Sequence, residues 1–351
     1  MIIDIHTHTF CPAVEPLVRD LPGYAAIPYK RDMLADSAST DAAEGPRLRA
    51  AFNGWDQRRA DMTRMRIDAQ VLAPAPGQQH YWVEAGLQRR ISSMQNDHVA
   101  GFVAQAATIA AGLGTLPMAD VPGAVAEARR GVQELGLRGF QIDSRVNDLE
   151  LSDRSFDPLW ECLASLGAVL VIHPLGFSDG RRLGPFFMVN VVGQPLEETI
   201  AFHHLVLGGV LDRHPGLQVL ICHGGGYVPS YAGRLDHAWK HRPELRQLIS
   251  EPPSAYLRRL WFDTCVFRPD LVENLVTLAG AGQVLLGSDY PFDMGDPDPA
   301  GLVEACGALD AAQRSAVLGG NALSLFRLEA PALKAVGDDH ATPTYTSDDL
   351  P

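Results

Sequence analysis

The chain has 351 residues, 46% of them hydrophobic, with 33 glycines and 25 prolines, enough apolar material for a large core and enough turn formers for many short connections. Its 42 acidic against 29 basic residues leave a net charge of −13, and the basic residues are dispersed, which argues against a nucleic-acid partner. No stretch approaches the roughly 18 apolar residues of a membrane span, and the opening MIIDIHTHTF lacks the charged start and apolar core of a signal peptide, so a soluble cytoplasmic protein is expected.

In chain order, short apolar or β-branched runs fall at Ile2–Ile5, Ala69–Ala73, Gly101–Ala104, Gly139–Ile142, Ala168–Ile172, Leu217–Cys222, Leu260–Thr264 and Gln283–Gly287. Between them, Val121–Leu135, Asp157–Leu166, Leu196–Leu211 and Pro269–Ala279 space apolar residues three and four apart and begin near Pro or Asp. Eight such β/α alternations predict a closed parallel (β/α)8 TIM barrel of class α/β, one domain over residues 1–328. The gap between the first two runs is too long for a simple crossover. It holds the tract DSASTDAAEG and a helix-capable segment, Pro46–Ile67. An insertion over about residues 10–66 would overlie the C-terminal mouth of the barrel as a lid. Residues 329–351 have little periodicity and read as an extended tail.

Asp4-Ile5-His6-Thr7-His8 is the strongest local signal, because alternate strand residues share a face and would send His6 and His8 together into the barrel mouth. Alone, such a pair is as readily chance. Three further strand ends carry ligand-capable residues: His173 in VIHPLG, His223 in ICHGGG and Asp289 in LLGSDYP. Barrel enzymes gather catalytic groups at these ends, and a buried His or Asp needs a partner. One divalent metal ion held by His6, His8, His173 and Asp289 answers for the set, with Zn²⁺ favoured and Mn²⁺ as the alternative. Gly224-Gly225-Gly226 opens space beside His223, which suits an acid/base role shared with Asp289. Arg234, Arg47 and Arg49 are candidates to grip a carboxylate, and Phe187 and Phe292, with Phe186, to wall a planar substrate. Five scattered cysteines without CxxC spacing indicate free thiols rather than disulfides or a cysteine metal site.

The order MIIDIHTHTF, Trp55-Asp56, RGFQID, VIHP, CHGGG, GRLDHAWKHR, EPPSAY, LLGSDYPF and GGNALSLF resembles the amidohydrolase-related metal-dependent decarboxylases over roughly residues 1 to 328. The resemblance implies ligands at His6, His8, His173 and Asp289 and an acid/base histidine at His223. It also implies a homodimer in which Arg234 reaches the neighbouring subunit's site. The sequence departs from the family at Leu48, which stands between Arg47 and Arg49 where a lid arginine is expected, and at Phe186-Phe187, where family members carry a tryptophan. The expected activity is non-oxidative decarboxylation of a small aromatic or unsaturated carboxylic acid. A metal-dependent hydrolase or hydratase remains the alternative from the same residues.

Overall fold

The computed structural model describes residues 1–27, 35–106, 108–175 and 180–329, so the expected tail lies outside the described residues except for Glu329. Eight strands follow one another in a single sheet whose neighbours are all parallel: β1 (Ile3–Thr9), β2 (Ala69–Pro74), β3 (Ile109–Gly114), β4 (Gly139–Ile142), β5 (Val169–Ile172), β6 (Gln218–Ile221), β7 (Trp261–Asp263) and β8 (Val284–Leu285). The sheet closes where the chain beyond β8 meets β1. Ile5 N–H donates to Leu286 O at 3.0 Å, Asp289 N–H to His6 O at 2.9 Å and His8 N–H to Tyr290 O at 2.8 Å. Closure leaves no edge strand and places Asp289 against the strand that carries both N-terminal histidines.

The outer layer includes α1 (Ala35–Asn53), α2 (Trp55–Arg64), α3 (Ala85–Gln105), α4 (Val121–Gln133), α5 (Asp157–Leu166), α6 (Gln194–Leu207), α7 (Val228–His241) and α8 (Pro269–Ala279). Proline stands in the first turn of α4, α5, α6, α7 and α8, where its missing N–H costs nothing, and Gly167 at φ 60° ends α5. Strands β4 to β6 turn Phe140, Ile142, Leu170, Ile172, Val219 and Ile221 towards the helices, where they meet Trp160, Phe156, Phe202 and Leu205. Each fully buried large side chain of this layer contributes about 1.5–3 kcal/mol. Inside the barrel, Ile3, Ile5, Val71, Leu113, Val169, Val171 and Leu220 form a second cluster. Among the described residues no helix is long and apolar enough to cross a membrane.

One strand assignment needs correction. Gly101–Ala104 is the last part of α3, and the third strand is Ile109–Gly114. The reason is close packing: a Cβ at Gly112 would lie 2.7 Å from Val99 and 3.1 Å from Val103, both on α3, and one at Gly114 would lie 2.5 Å from Asn96. A strand that must seat a helix this closely is built from Ala and Gly, and so loses the β-branched signal that sequence reading relies on.

The segment after β1 is folded onto the barrel mouth. Asn53, ending α1, accepts from Thr9 Oγ1 at 2.8 Å, and the buried Arg58 of α2 donates to the carbonyls of His8, Ala51 and Phe52 and to Gln70 Oε1. The loop after β8 meets the same segment, with Arg47 Nη2 donating to Pro291 O at 3.2 Å.

Candidate metal centre

The pairing of β1 with β2 shifts register between Asp4 and Thr7. That irregularity changes the parity of the strand, as a bulge does. Ile3 and Ile5 belong to the barrel interior, and beyond the shift it is His6 and His8 that approach His173, with ring centroids 5.0 and 5.2 Å from it. Strand β5 delivers His173 one residue past its last ladder position, and the turn after β8 delivers Asp289 at φ 64°. His6, His8, His173 and Asp289 each offer a ligand atom, and these atoms lie within 4.8 Å of one another. All four residues are buried.

The hydrogen bonds of the three imidazoles decide which nitrogen faces inward. Nδ1 of His8 meets Pro74 O at 3.3 Å, and Nδ1 of His173 meets Pro174 O at 3.1 Å. A carbonyl oxygen only accepts, so both rings carry the proton on Nδ1. His6 Nδ1 lies 2.7 Å from Asp263 Oδ2, and Asp263 in turn accepts from the backbone N–H groups of His223, Gly224 and Cys265 at 3.0, 3.0 and 3.1 Å. Outer-sphere partners of this kind fix the orientation of metal-binding histidines. A Cβ at Gly287 would sit 2.9 Å from the Cβ atoms of both His6 and Asp263, so glycine is required where this pair closes on the eighth strand's end.

Each Nε2 then presents a lone pair, and Nε2 of His6, His8 and His173 lie 3.3, 3.2 and 3.9 Å from one oxygen, Asp289 Oδ1. Nε2 of His6 and of His173 are buried without a hydrogen-bond partner. Lone pairs converging on a carboxylate in a dry site repel unless a cation lies among them, and the donor set of three imidazoles and one carboxylate fits a divalent ion. Burial pushes the His173 imidazole down to about 3, so that ring is neutral. Burial would raise the Asp289 carboxyl, yet His6, His173, His223 and His8 around it hold it well below the usual range. Burial also acts to lower His6, but Asp289 and Asp263 outweigh it, so a cation there displaces a proton.

His223 opens the turn after β6 at φ 48°, followed by three glycines with positive φ. Its Nε2 lies 3.6 Å from Asp289 Oδ2, and its Nδ1 is hydrogen-bonded to the fully buried Glu198 of α6. Burial disfavours the charged ring, but Glu198 and Asp289 carry its pKa well above the ordinary value. An imidazole held between two buried carboxylates is placed to carry a proton at the cluster's edge.

Beyond the ligands, the Phe292 ring lies 5.3 Å from that of His8, Phe52 packs edge-on to Phe292 at 5.5 Å, and Phe10 lies 6.0 Å from Phe52. Phe292 therefore flanks the centre, and Arg47 reaches the carbonyl of its neighbour Pro291. Arg49 and Arg234 are exposed, Arg234 makes no ion pair among the described residues, and Phe187 is partly buried in a turn whose neighbour Phe186 is 89% exposed. Within one chain these three residues are not brought to the histidine cluster. Sequence reading missed Asp263, Glu198 and Phe52. Asp263 ends the apolar run LWFD and obeys the same strand-end logic as His173, whereas Glu198, inside a helix, carries no local signal.

Comparison with known proteins agrees with this arrangement. The sequence profile of the family described as Amidohydrolase matches residues 3–328. A curated relative, 2-amino-3-carboxymuconate-6-semialdehyde decarboxylase of Dictyostelium discoideum, is 33% identical and covers 93% of this chain and 92% of its own. A second, 2-keto-4-carboxy-3-hexenedioate hydratase of a Sphingobium strain, is 27% identical over 96% of this chain and 99% of its own. The crystal structure of 5-carboxyvanillate decarboxylase from Sphingomonas paucimobilis superposes with a TM-score of 0.81 at 27% identity, covering 93% and 99% of the two chains. A parallel eight-stranded barrel with this cluster at its mouth, matched by one profile along nearly its whole length, makes the chain a member of the amidohydrolase family.

Proposed function

We propose that the protein is a metal-dependent non-oxidative decarboxylase of a small aromatic or unsaturated carboxylic acid. The observation that carries this reading is the placement of His223, paired with the buried Glu198, at the edge of the His6, His8, His173 and Asp289 cluster, in a chain 33% identical to a decarboxylase along nearly its whole length. His6, His8, His173 and Asp289 would hold a divalent cation, which would supply Lewis-acid polarisation of a bound carboxylic acid. Zn²⁺ suits three neutral imidazoles and one carboxylate, with Mn²⁺ the alternative.

The protein's own groups do the rest. Phe292 and Phe52 form an apolar wall for a planar substrate. The insertion, residues 10–66, acts as a lid on the catalytic domain 1–328, and from it Arg47, bonded to the loop after β8, orients a second anionic group, with Arg49 free to swing towards it once substrate is bound. His223, with Asp289 beside it, delivers a proton to the carbon bearing the carboxylate. The bond from that carbon to the carboxylate then breaks, CO2 leaves, and its electron pair restores the unsaturated system. Arg234, exposed on α7, completes the site of a second subunit in a homodimer. The five cysteines are free and buried, which suits a reducing cytoplasm.

Turnover of a panel of aromatic and dienoic acids in ¹⁸O-water tests the reaction. CO2 release with an unlabelled organic product is expected, and label retained in that product overturns decarboxylation. The second reading, a hydratase, is favoured by the similarity to the Sphingobium hydratase and predicts that label.

A further inference from the structure

We infer that Glu198 is the positioning residue of His223, holding the imidazole with its proton on Nδ1 and thereby directing Nε2 at the substrate. This rests on the reading of His223 as the proton carrier, and deepens it. Glu198 Oε1 pairs with His223 Nδ1, and on the opposite side of the ring Nε2 lies 3.6 Å from Asp289 Oδ2. Burial pushes the Glu198 carboxyl up to about 7 while His223 draws it down, and in the ionised form that this pairing favours it only accepts, so the pairing sets which nitrogen keeps the proton. The same division of labour orders His6 through Asp263 on the metal side of the cluster.

The helix that carries Glu198 is fastened to the turn that carries His223. Thr199 Oγ1 accepts from Tyr227 N–H at 2.9 Å, and Tyr227 Oη donates to Val192 O at 3.2 Å. Gly226 fits against the first turn of α6 so closely that a Cβ there would lie 2.2 Å from Pro195 O. Just before α6 the chain makes a π-helical turn, Val189–Gly193, a distortion frequent at functional sites and one that shifts the phase of the helix that follows.

The cost of Glu198 argues that packing is not its purpose. Its side chain is fully buried, and Oε2 has no hydrogen-bond partner, leaving His223 as the group that answers its charge. A leucine of similar size would serve the fold better, since a half-satisfied buried carboxylate destabilises it.

The test joins a spectroscopic arm to a kinetic one, on the full-length zinc-loaded protein. With ¹⁵N-labelled histidine, and His223 assigned by its absence from the H223A spectrum, wild type is expected to show a strongly deshielded, hydrogen-bonded Nδ1–H that disappears in E198L. In kinetics, E198L and E198Q are expected to lose kcat about 10–100-fold with KM within twofold and zinc content unchanged. E198L/H223A is expected to be no slower than H223A. An unaltered His223 signal in E198L, a wild-type kcat in E198Q, or additive losses in the double variant overturns the assignment. If E198L fails to fold, E198A, which likewise lacks an acceptor, replaces it with the same expected loss of the Nδ1–H signal and the same overturning result, and the spectroscopic arm decides even if no tested acid is decarboxylated.

Discussion

The floor of the barrel mouth and its rim are built on different terms. On the floor, His6, His8, His173 and Asp289 stand on strands or one to four residues beyond them and are buried, and the three imidazoles have Nδ1 committed to Asp263 or to a backbone carbonyl. On the rim, Arg47, Arg49 and Arg234 are exposed on helices, and Phe187 lies in a turn. Strand ends of a closed sheet have nowhere to move, so chemistry placed on them is held to within a few tenths of an ångström. Long side chains on outer helices retain their freedom until a substrate or a second subunit engages them.

Five variants separate floor from rim. The largest effect is expected for His6→Ala combined with His8→Ala, which should remove the bound metal and all turnover while leaving the barrel folded; metal analysis beside circular dichroism checks this, and full metal retention contradicts the proposed ligands. Next comes Asp263→Asn, which leaves every ligand in place but loosens His6, so metal affinity is expected to fall about 10–100-fold in competition with a chelator. On the rim, Arg234→Ala should inactivate the homodimer, yet activity should return when it is mixed and reassembled with the His6→Ala/His8→Ala protein, because one hybrid site then has intact ligands and an intact arginine. No recovery in hybrids shown to form by mass spectrometry assigns Arg234 to its own subunit. The smallest effect distinguishes the two insertion arginines. Arg47, already bonded to the loop after β8, is expected to raise KM about tenfold on truncation to Ala, equivalent to about 1.4 kcal/mol, whereas Arg49→Ala should change it less than threefold.

The same contrast explains what the sequence made legible. Floor residues could be found because each ends an apolar run and the barrel fixes where such ends meet; His173 and Asp289 needed no other information. His6 and His8 were found through strand alternation, although the register shift after Asp4, invisible in the sequence, is what sends them inward after Ile3 and Ile5. The third strand was misread because its Ala and Gly residues answer to helix packing rather than to strand propensity. Glu198 stayed hidden for a further reason: its importance comes from a helix far along the chain meeting a turn, and no local pattern records that meeting. Charge and aromaticity alone mark the rim residues, properties that many surface residues share, and accordingly in one chain Phe292 packs on His8 while Arg47 reaches no further than the Pro291 carbonyl beside it.

Arg58 joins the two regions. Its guanidinium, buried and pushed down to about 10 by loss of solvent, lies over the Tyr290 ring and spans the carbonyl of the ligand His8 and the carbonyls of Ala51 and Phe52 at the end of the rim helix α1. A displacement of that helix is therefore transmitted to the backbone of a ligand strand, and a shift of the ligand strand to the wall residue Phe52. Selectivity can drift among the exposed side chains of α1, but its C-terminal turn is tethered to the metal centre and has to travel with it.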